Sequence, residues 1–565
     1  MKKNLLVVSL GKYQFKKFNK IYFLDTNLEY FFKDKIFLKK KNIKPQINYI
    51  IRSINIIKKK NIIYKKFFFQ FYKKNNIEIS SSKEVEVLLS TFLYTLLSSI
   101  IYKTDKLIYL KKKYNNNFYI QDYKNNYSFN NLEEAQEAFS GLSDFNQLIS
   151  VEIAKILKIK IINRKNKKSF HFKKSKKKIN NIIIFLLRLY IFIFKPNLFT
   201  NLGIGILNSF IIFLKTFGQT LIIPSKFFFY YRQYERKMNF DLRKKIRVKD
   251  DDIYDKVFNK LIFNILPLSC LENYKYIKKE VLFLARSIKN LGTSNELHFN
   301  DNFKILSSNL KKKSKLISFQ HGALYGLQKI MFHEQFEIKN SDMFIHYQNK
   351  KNLPVLSINA LNKRILNKQK NITMFSEYSM PNHYRFQFTQ NSACYGFPIN
   401  TIPILFYKNL SKKIKINFLL RLFNEPNVQF FRNKIKSLFK DINFDKNCNS
   451  LDSLIETKIF IATYFSTSIY QALRMEIPII LIFNEKVYNF KKYFLDFLDK
   501  LKKNNILFNC PITAAKYINN NYNNFENLYS STEKMKLISE FKKILFIDKD
   551  FLAGDFIKSF CNKSL

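Results

Sequence analysis

The chain has 565 residues and sets 98 Lys plus Arg against 42 Asp plus Glu, a formal net charge of +56. Its 47% hydrophobic and 17% aromatic content excludes a disordered basic tail. With Phe 61 and Tyr 33 beside Gly 10, Pro 11 and Trp 0, A/T-rich codons are favoured throughout. Much of the charge is therefore codon drift on solvated surface rather than a signature of nucleic acid. Cys270, Cys394, Cys448, Cys510 and Cys561 form no C-x-x-C pair, which argues against a disulfide framework or structural zinc and for a cytoplasmic setting.

Residues 5–10 read as a first strand, too short for a secretory h-region, followed by short β-rich runs at Ile21 to Leu24 and Ile62 to Tyr64. Two apolar runs follow, Val85 to Tyr102 and Ile182 to Phe194. The first carries Ser90, Thr91, Thr95, Ser98 and Ser99, and the second is short and contains Arg188. Both read as buried helices rather than membrane spans. Lys- and Asn-rich stretches at 111–131 and 163–181 read as surface loops, and Lys173 to Lys178 would suit an anionic membrane surface.

From residue 200 the pattern becomes regular. Helical periodicity over Phe263 to Leu291 precedes a short strand at Glu296 to Phe299, a helix at Phe303 to Asn309, a strand at Leu316 to Phe319 and another at Met343 to Tyr347. After a linker at 350–371 come strand Ile372 to Phe375, a loop with Pro381 and a helix near Ala393. Strand Asn417 to Leu422, helix Phe430 to Phe439, strand Ile459 to Ala462, helix Ser468 to Met475 and strand Pro478 to Phe483 complete the block. Such alternation predicts an α/β fold of two doubly wound domains with parallel sheets. The expected division is 1–360, 370–530 and a helical tail at 531–565.

Against the codon bias each retained Gly is informative. Gly322 and Gly326 lie within five residues, and His321, His333 and His346 within 26. The strand at Leu316 runs into Gln320-His321-Gly322, so a titratable ring sits at a strand's carboxyl end, where open α/β sheets bind ligands. Gly322 would supply positive φ or a close backbone approach. His321 either ties a turn together or acts as a base or donor. Downstream, Glu334 and Glu337 share a helical face, with Lys339 and Asp342 close behind. That cluster reads as a solvated face, as a partner for His321, or as a divalent-ion site, although its spacing matches no ligand signature. A second candidate is Tyr464-Phe465-Ser466-Thr467-Ser468, where a strand gives way to a helix. It is either a plain N-cap or a phosphate site.

The Gln320-His321-Gly322 to Tyr325-Gly326 loop, Glu337-Ile338-Lys339-x-Ser341-Asp342, the Arg421 strand, and Thr463-Tyr464-x-Ser466-Thr467 with Pro478-x-Ile480 and Asn484 occur in that order. They resemble a family of transferases of surface-polysaccharide (O-antigen-type) biosynthesis, similar in layout to GT-B glycosyltransferases and glycerophosphotransferases. The resemblance covers about 260–530, and 20–260 more loosely. It implies two Rossmann-like domains facing across a cleft, with the acceptor at residues 1–360 and a nucleotide-activated sugar or polyol donor at 370–530. His321 would be the base, assisted by Glu334 or Glu337. Tyr464, Ser466, Thr467 and Ser468 would hold donor phosphate near Arg421, with Gln320, Lys339 and Asp342 in support. No metal or cofactor is expected beyond the donor itself. The partners implied are a nucleotide sugar and a glycan or lipid-linked acceptor, at the inner face of an anionic membrane, with no nucleic acid. The competing expectations are a basic protein that coats nucleic acid or membrane, and a non-catalytic relative.

Overall fold

A computed structural model describes residues 3–8, 18–24, 47–122, 127–162, 181–225, 237–348, 370–378, 385–389, 397–423, 428–447, 449–547 and 553–560. Its framework is three sheets in which every strand pair is parallel. The first contains β1 (Lys3–Val7), β2 (Phe18–Phe23), β3 (Tyr119–Gln121) and β4 (Lys160–Ile162), in the order β2-β1-β3-β4. The second contains β5 (Asn197–Thr200), β6 (Thr220–Ile222), β7 (Asn290–Thr293), β8 (Lys315–Phe319) and β9 (Met343–Ile345), in the order β6-β5-β7-β8-β9. The third contains β10 (Asn371–Ser376), β11 (Phe418–Leu422), β12 (Asn443–Phe444), β13 (Thr457–Ala462), β14 (Ile479–Ile482) and β15 (Leu507–Phe508), in the order β12-β11-β10-β13-β14-β15.

Counted within each sheet, the second has the flavodoxin-like order 2-1-3-4-5 and the third the dinucleotide-fold order 3-2-1-4-5-6. In both, the strand order reverses at one gap, and loops leaving the carboxyl ends there open a crevice. The gap lies between β5 and β7 in the second sheet and between β10 and β13 in the third. Three parallel sheets thus stand where two were expected, because residues 1–360 hold two of them. The extra sheet is completed by two three-residue strands, β3 inside the Lys- and Asn-rich stretch at 111–131 and β4 just before the one at 163–181.

Other expectations change in detail. Ile62 to Tyr64 is not a strand but part of helix Ile47–Lys74, whose long buried stripe includes Ile54, Ile57, Tyr64 and Phe68. Glu296–Phe299 is a short helix, not a strand. The span Phe263 to Leu291 is interrupted: helix Ile253–Ile265 ends, a 3-10 turn follows at Leu268–Cys270, and helix Tyr274–Ser287 leads into β7. Pro267 cannot donate an N–H to continue the first helix. Residues 163–180, Pro381, Ala393 and most of the linker lie outside the described residues.

Helix Ser82–Lys113 is long and apolar enough to cross a bilayer, yet 94% of its apolar window is buried. It is a core helix: Ser81 caps it by accepting from the Glu84 amide, and lysines fill its last turn. Helix Ala553–Phe560 returns to the second sheet, where Phe556 lies 5.1 Å from Phe199 and Phe560 lies 5.6 Å from Phe319, ring to ring. The loop after β8 is tied to the third unit. Gln328 pairs with Phe490 in an antiparallel bridge, and its amide donates to the Phe388 and Tyr488 carbonyls at 2.6 and 2.9 Å.

Candidate functional site

The turn after β8 is built by its own side chains. The Gln320 amide donates to the Gly322 carbonyl at 2.8 Å, and its oxygen accepts from the Tyr347 N–H at 2.9 Å. Gln320 therefore clamps the turn to the segment after β9. A Cβ on Gly322 would meet the Tyr325 ring at 3.0 Å, so this glycine permits a close approach rather than a positive φ. Gly326 is the residue in the left-handed region, with φ +76°. Its N–H donates to Glu334 at 2.9 Å, and the Tyr493 hydroxyl donates to its carbonyl at 3.2 Å. Glu334 is thus occupied in fixing the loop. Lys339 reaches Glu86 on the core helix, and Asp342 accepts from the Leu316 N–H at 2.7 Å, pinning β8 beside β9.

His321 and Glu337 do come together. Glu337 is 1% exposed in its side chain and lies 3.5 Å from Nδ1 of His321, which keeps 31% of its side chain open to solvent. Behind Glu337 runs a chain of polar contacts: Arg385 to His333 Nε2 at 2.5 Å, His333 Nδ1 to His298 Nδ1 at 3.0 Å, and His298 Nε2 to Glu337 Oε1 at 2.6 Å. A guanidinium can only donate. His333 therefore accepts at Nε2 and carries its proton on Nδ1, and His298 accepts at Nδ1 and carries its proton on Nε2. The last bond points an N–H at a carboxylate. Every proton in the relay is directed from Arg385 toward Glu337, which fixes both tautomers.

Burial sets the charges. It pushes Glu337 up to about 7, opposed by His321 and by the Tyr325 hydroxyl. Burial also lowers His321 to about 4, opposed chiefly by Glu337. His298 and His333 are held well below the ordinary imidazole value by burial and by Arg385 nearby, so both are neutral. At neutral pH His321 is thus an unprotonated imidazole, with the Tyr325 hydroxyl 3.4 Å from Nδ1 and 3.5 Å from Nε2. Among the described residues, His298, His321 and Glu337 are the one group whose ligand atoms gather closely enough to hold a cation, all within 4.8 Å. In this arrangement the proton on His298 Nε2 occupies the direction a metal would take.

The second candidate lies at the reversal point of the third sheet. Thr463 follows β13 and donates to Ser376 at the end of β10 at 3.0 Å, across the gap itself. Ser466 is the N-cap of helix Thr467–Arg474 but makes no capping bond, and its buried hydroxyl has no hydrogen-bond partner. Thr467 and Ser468 form the first turn, and Tyr464 is buried beneath it. One turn further on, the Tyr470 hydroxyl donates to the Ala323 carbonyl in the His321 loop. The two candidate turns are therefore packed against each other through one tyrosine.

Arg421 points elsewhere: it donates to Asp445 at 2.8 Å, to the Asn447 carbonyl at 2.9 Å and to Ser453 at 3.1 Å. It lines a pocket of about 820 Å³ at the carboxyl ends of β11 and β12, with Arg432, Lys436 and Lys446 against Asp445.

His298, His333, Tyr325 and Arg385 were not assigned roles by sequence reasoning. The rarity of histidine, six in the whole chain, is the available signal, and it applies to His298 as to the others. Arg385 had none, being 52 residues from His333.

Doubly wound parallel sheets, with a polar relay at one carboxyl edge and an uncapped helix start at another, define the class as an α/β protein with Rossmann-like sheets. The chain belongs to the LIC12162 family of transferases, whose sequence profile matches residues 86–546. That span takes in the second and third sheets and both turns. No curated protein matches the chain.

Proposed function

We propose that this transferase moves a sugar or polyol-phosphate from a nucleotide-activated donor to an acceptor hydroxyl, in the assembly of a surface glycan. The observation that carries the reading is the His321 and Glu337 pair, in which burial keeps the imidazole neutral and the relay orients its carboxylate partner. The second and third sheets would be the two Rossmann-like halves of a GT-B-like pair, the former taking the acceptor and the latter the donor.

In the step itself, the His321 ring nitrogen turned away from Glu337 takes the proton of the acceptor hydroxyl. The acceptor oxygen bonds to the donor's activated carbon or phosphorus, and the bond from that atom to the leaving nucleotide oxygen breaks. Glu337 stabilises the imidazolium that forms, as a buried carboxylate does for a general base. Backbone N–H groups at Ser466 to Ser468, the helix dipole and the vacant Ser466 hydroxyl offer stabilisation for the departing phosphate. The cationic pocket around Arg421 and Arg432 suits the rest of the nucleotide. No step needs a metal.

The reading is tested by incubating the purified chain with a pool of nucleotide sugars and glycan acceptors and detecting released nucleotide by mass. Acceptor-dependent release of one nucleotide supports it. Nucleotide binding without release would favour a non-catalytic relative, and strongly salt-dependent binding of RNA or DNA without release would favour a nucleic-acid-coating protein.

A further inference from the structure

Two short helices break the usual rule that apolar side chains face inward. Helix Asn181–Phe194 has only Ile184 and Ile191 in the core, while Phe185 is 65% exposed and Ile193 59%. Helix Ile206–Lys215 buries Ile212 and leaves Ile206 90%, Leu207 72% and Phe210 55% exposed, with Phe217 just beyond at 89%. The two are neighbours: the Tyr190 ring lies 6.1 Å from that of Phe213, and the Tyr190 hydroxyl donates to the Gly218 carbonyl. Together these adjacent helices present exposed apolar side chains on a shared region of the surface. A helix hydrophobic on nearly every side is ordinarily covered, and patches of this kind mark an interaction site.

The charge next to these helices in the sequence selects the occupant. Residues 163–180, which lead directly into the first helix, hold nine Lys plus Arg and no Asp or Glu. Lys195 and Lys215 close the two helices. A second copy of a chain carrying +56 would be repelled, whereas an anionic bilayer attracts such residues and accepts apolar side chains at its headgroup boundary. We infer that helices Asn181–Phe194 and Ile206–Lys215 are a membrane-docking face that inserts into one leaflet of an anionic lipid bilayer.

The face also has a position. Helix Ile206–Lys215 starts a few residues beyond Asn201, which follows β5, accepts from Ser294 at its carbonyl and donates to Glu296. Docking would therefore hold the carboxyl edge of the second sheet, with His321, close to the lipid headgroups. On the transferase reading, the acceptor would be lipid-linked; that consequence rests on that reading, and the docking itself does not.

The test is flotation of the full-length protein with vesicles, without substrate, so that its outcome is independent of catalysis. The chain should float with vesicles of phosphatidylglycerol and phosphatidylcholine, at least tenfold more than with phosphatidylcholine alone. The double variant Leu207→Asp/Phe210→Asp should lose at least tenfold of that binding, with an unchanged thermal melt. Since the chain has no tryptophan, Phe210→Trp supplies a single reporter whose emission should shift to the blue on vesicle addition. Equal flotation of the double variant, an unshifted Phe210→Trp emission, or a concentration-dependent oligomer dissolved by the double variant would overturn the proposal.

Discussion

The carboxyl edges of the second and third sheets share a doubly wound logic but are furnished differently. Around His321 the side chains of Arg385, His333, His298, Glu337 and Tyr325 form one connected set, although Glu337 Oε2 is buried without a hydrogen-bond partner among the described residues. At Ser466 there is no such connected set: a buried hydroxyl and a helix start stand with no capping bond. On the proposed function, the connected set would hold a proton acceptor in place and the uncapped terminus would receive an anion. The difference suggests a division of labour, with the chemistry at the second sheet and phosphate capture at the third.

Substitutions can break that division, and the largest effect belongs to the base. His321→Ala should lower turnover roughly 10²-fold or more while leaving donor affinity nearly unchanged. Turnover and donor KM measured together check both halves. Glu337→Gln should follow closely and also reshape the pH profile. Because burial raises Glu337 to about 7, its ionised form, which stabilises the imidazolium, predominates above that value. The rate should therefore rise with pH through about 7, and the Gln variant should lose this limb.

A smaller loss, roughly tenfold, is expected for Arg385→Ala, since the tautomers of His333 and His298 lose their anchor. Arg385 is a positioning residue, so the Glu337 limb should shift with it, a change that a purely structural defect would not produce. Ser466→Ala should raise donor KM a few-fold with little change in turnover, the converse of His321→Ala. Chelation should leave the rate unaltered; a loss restored by one divalent ion would instead assign the His298, His321 and Glu337 group to a metal. Gly326→Ala should cost about 1–2 kcal/mol in denaturant unfolding, because φ at +76° is unfavourable for an L side chain.

How much of this was legible in the residues depended on length and on partners. β8 and β10 were found because each is a sharp apolar run beside a turn. Glu296–Phe299 was misread because four residues are too few for a period to show, and its apolar Leu297 and Phe299 alternate as in a strand. At Ile62 and Ile63, β-branched propensity was overridden by the long buried stripe of helix Ile47–Lys74. In the site, His321 and Glu337 were visible because strand, turn and helix follow one another locally. The relay was not, since Arg385 reaches His333 only through the tertiary fold. Arg421 was legible as a cation on a strand, but its commitment to Asp445 was not.

The most direct measurement is acceptor-dependent nucleotide release by the wild-type chain and by His321→Ala, followed by mass in the same nucleotide-sugar pool across pH 5 to 9. The expected result is one released nucleotide, a rate rising through about pH 7, and at least a hundredfold loss in the variant. Equal release by the two proteins, with no pH limb near 7, would contradict it.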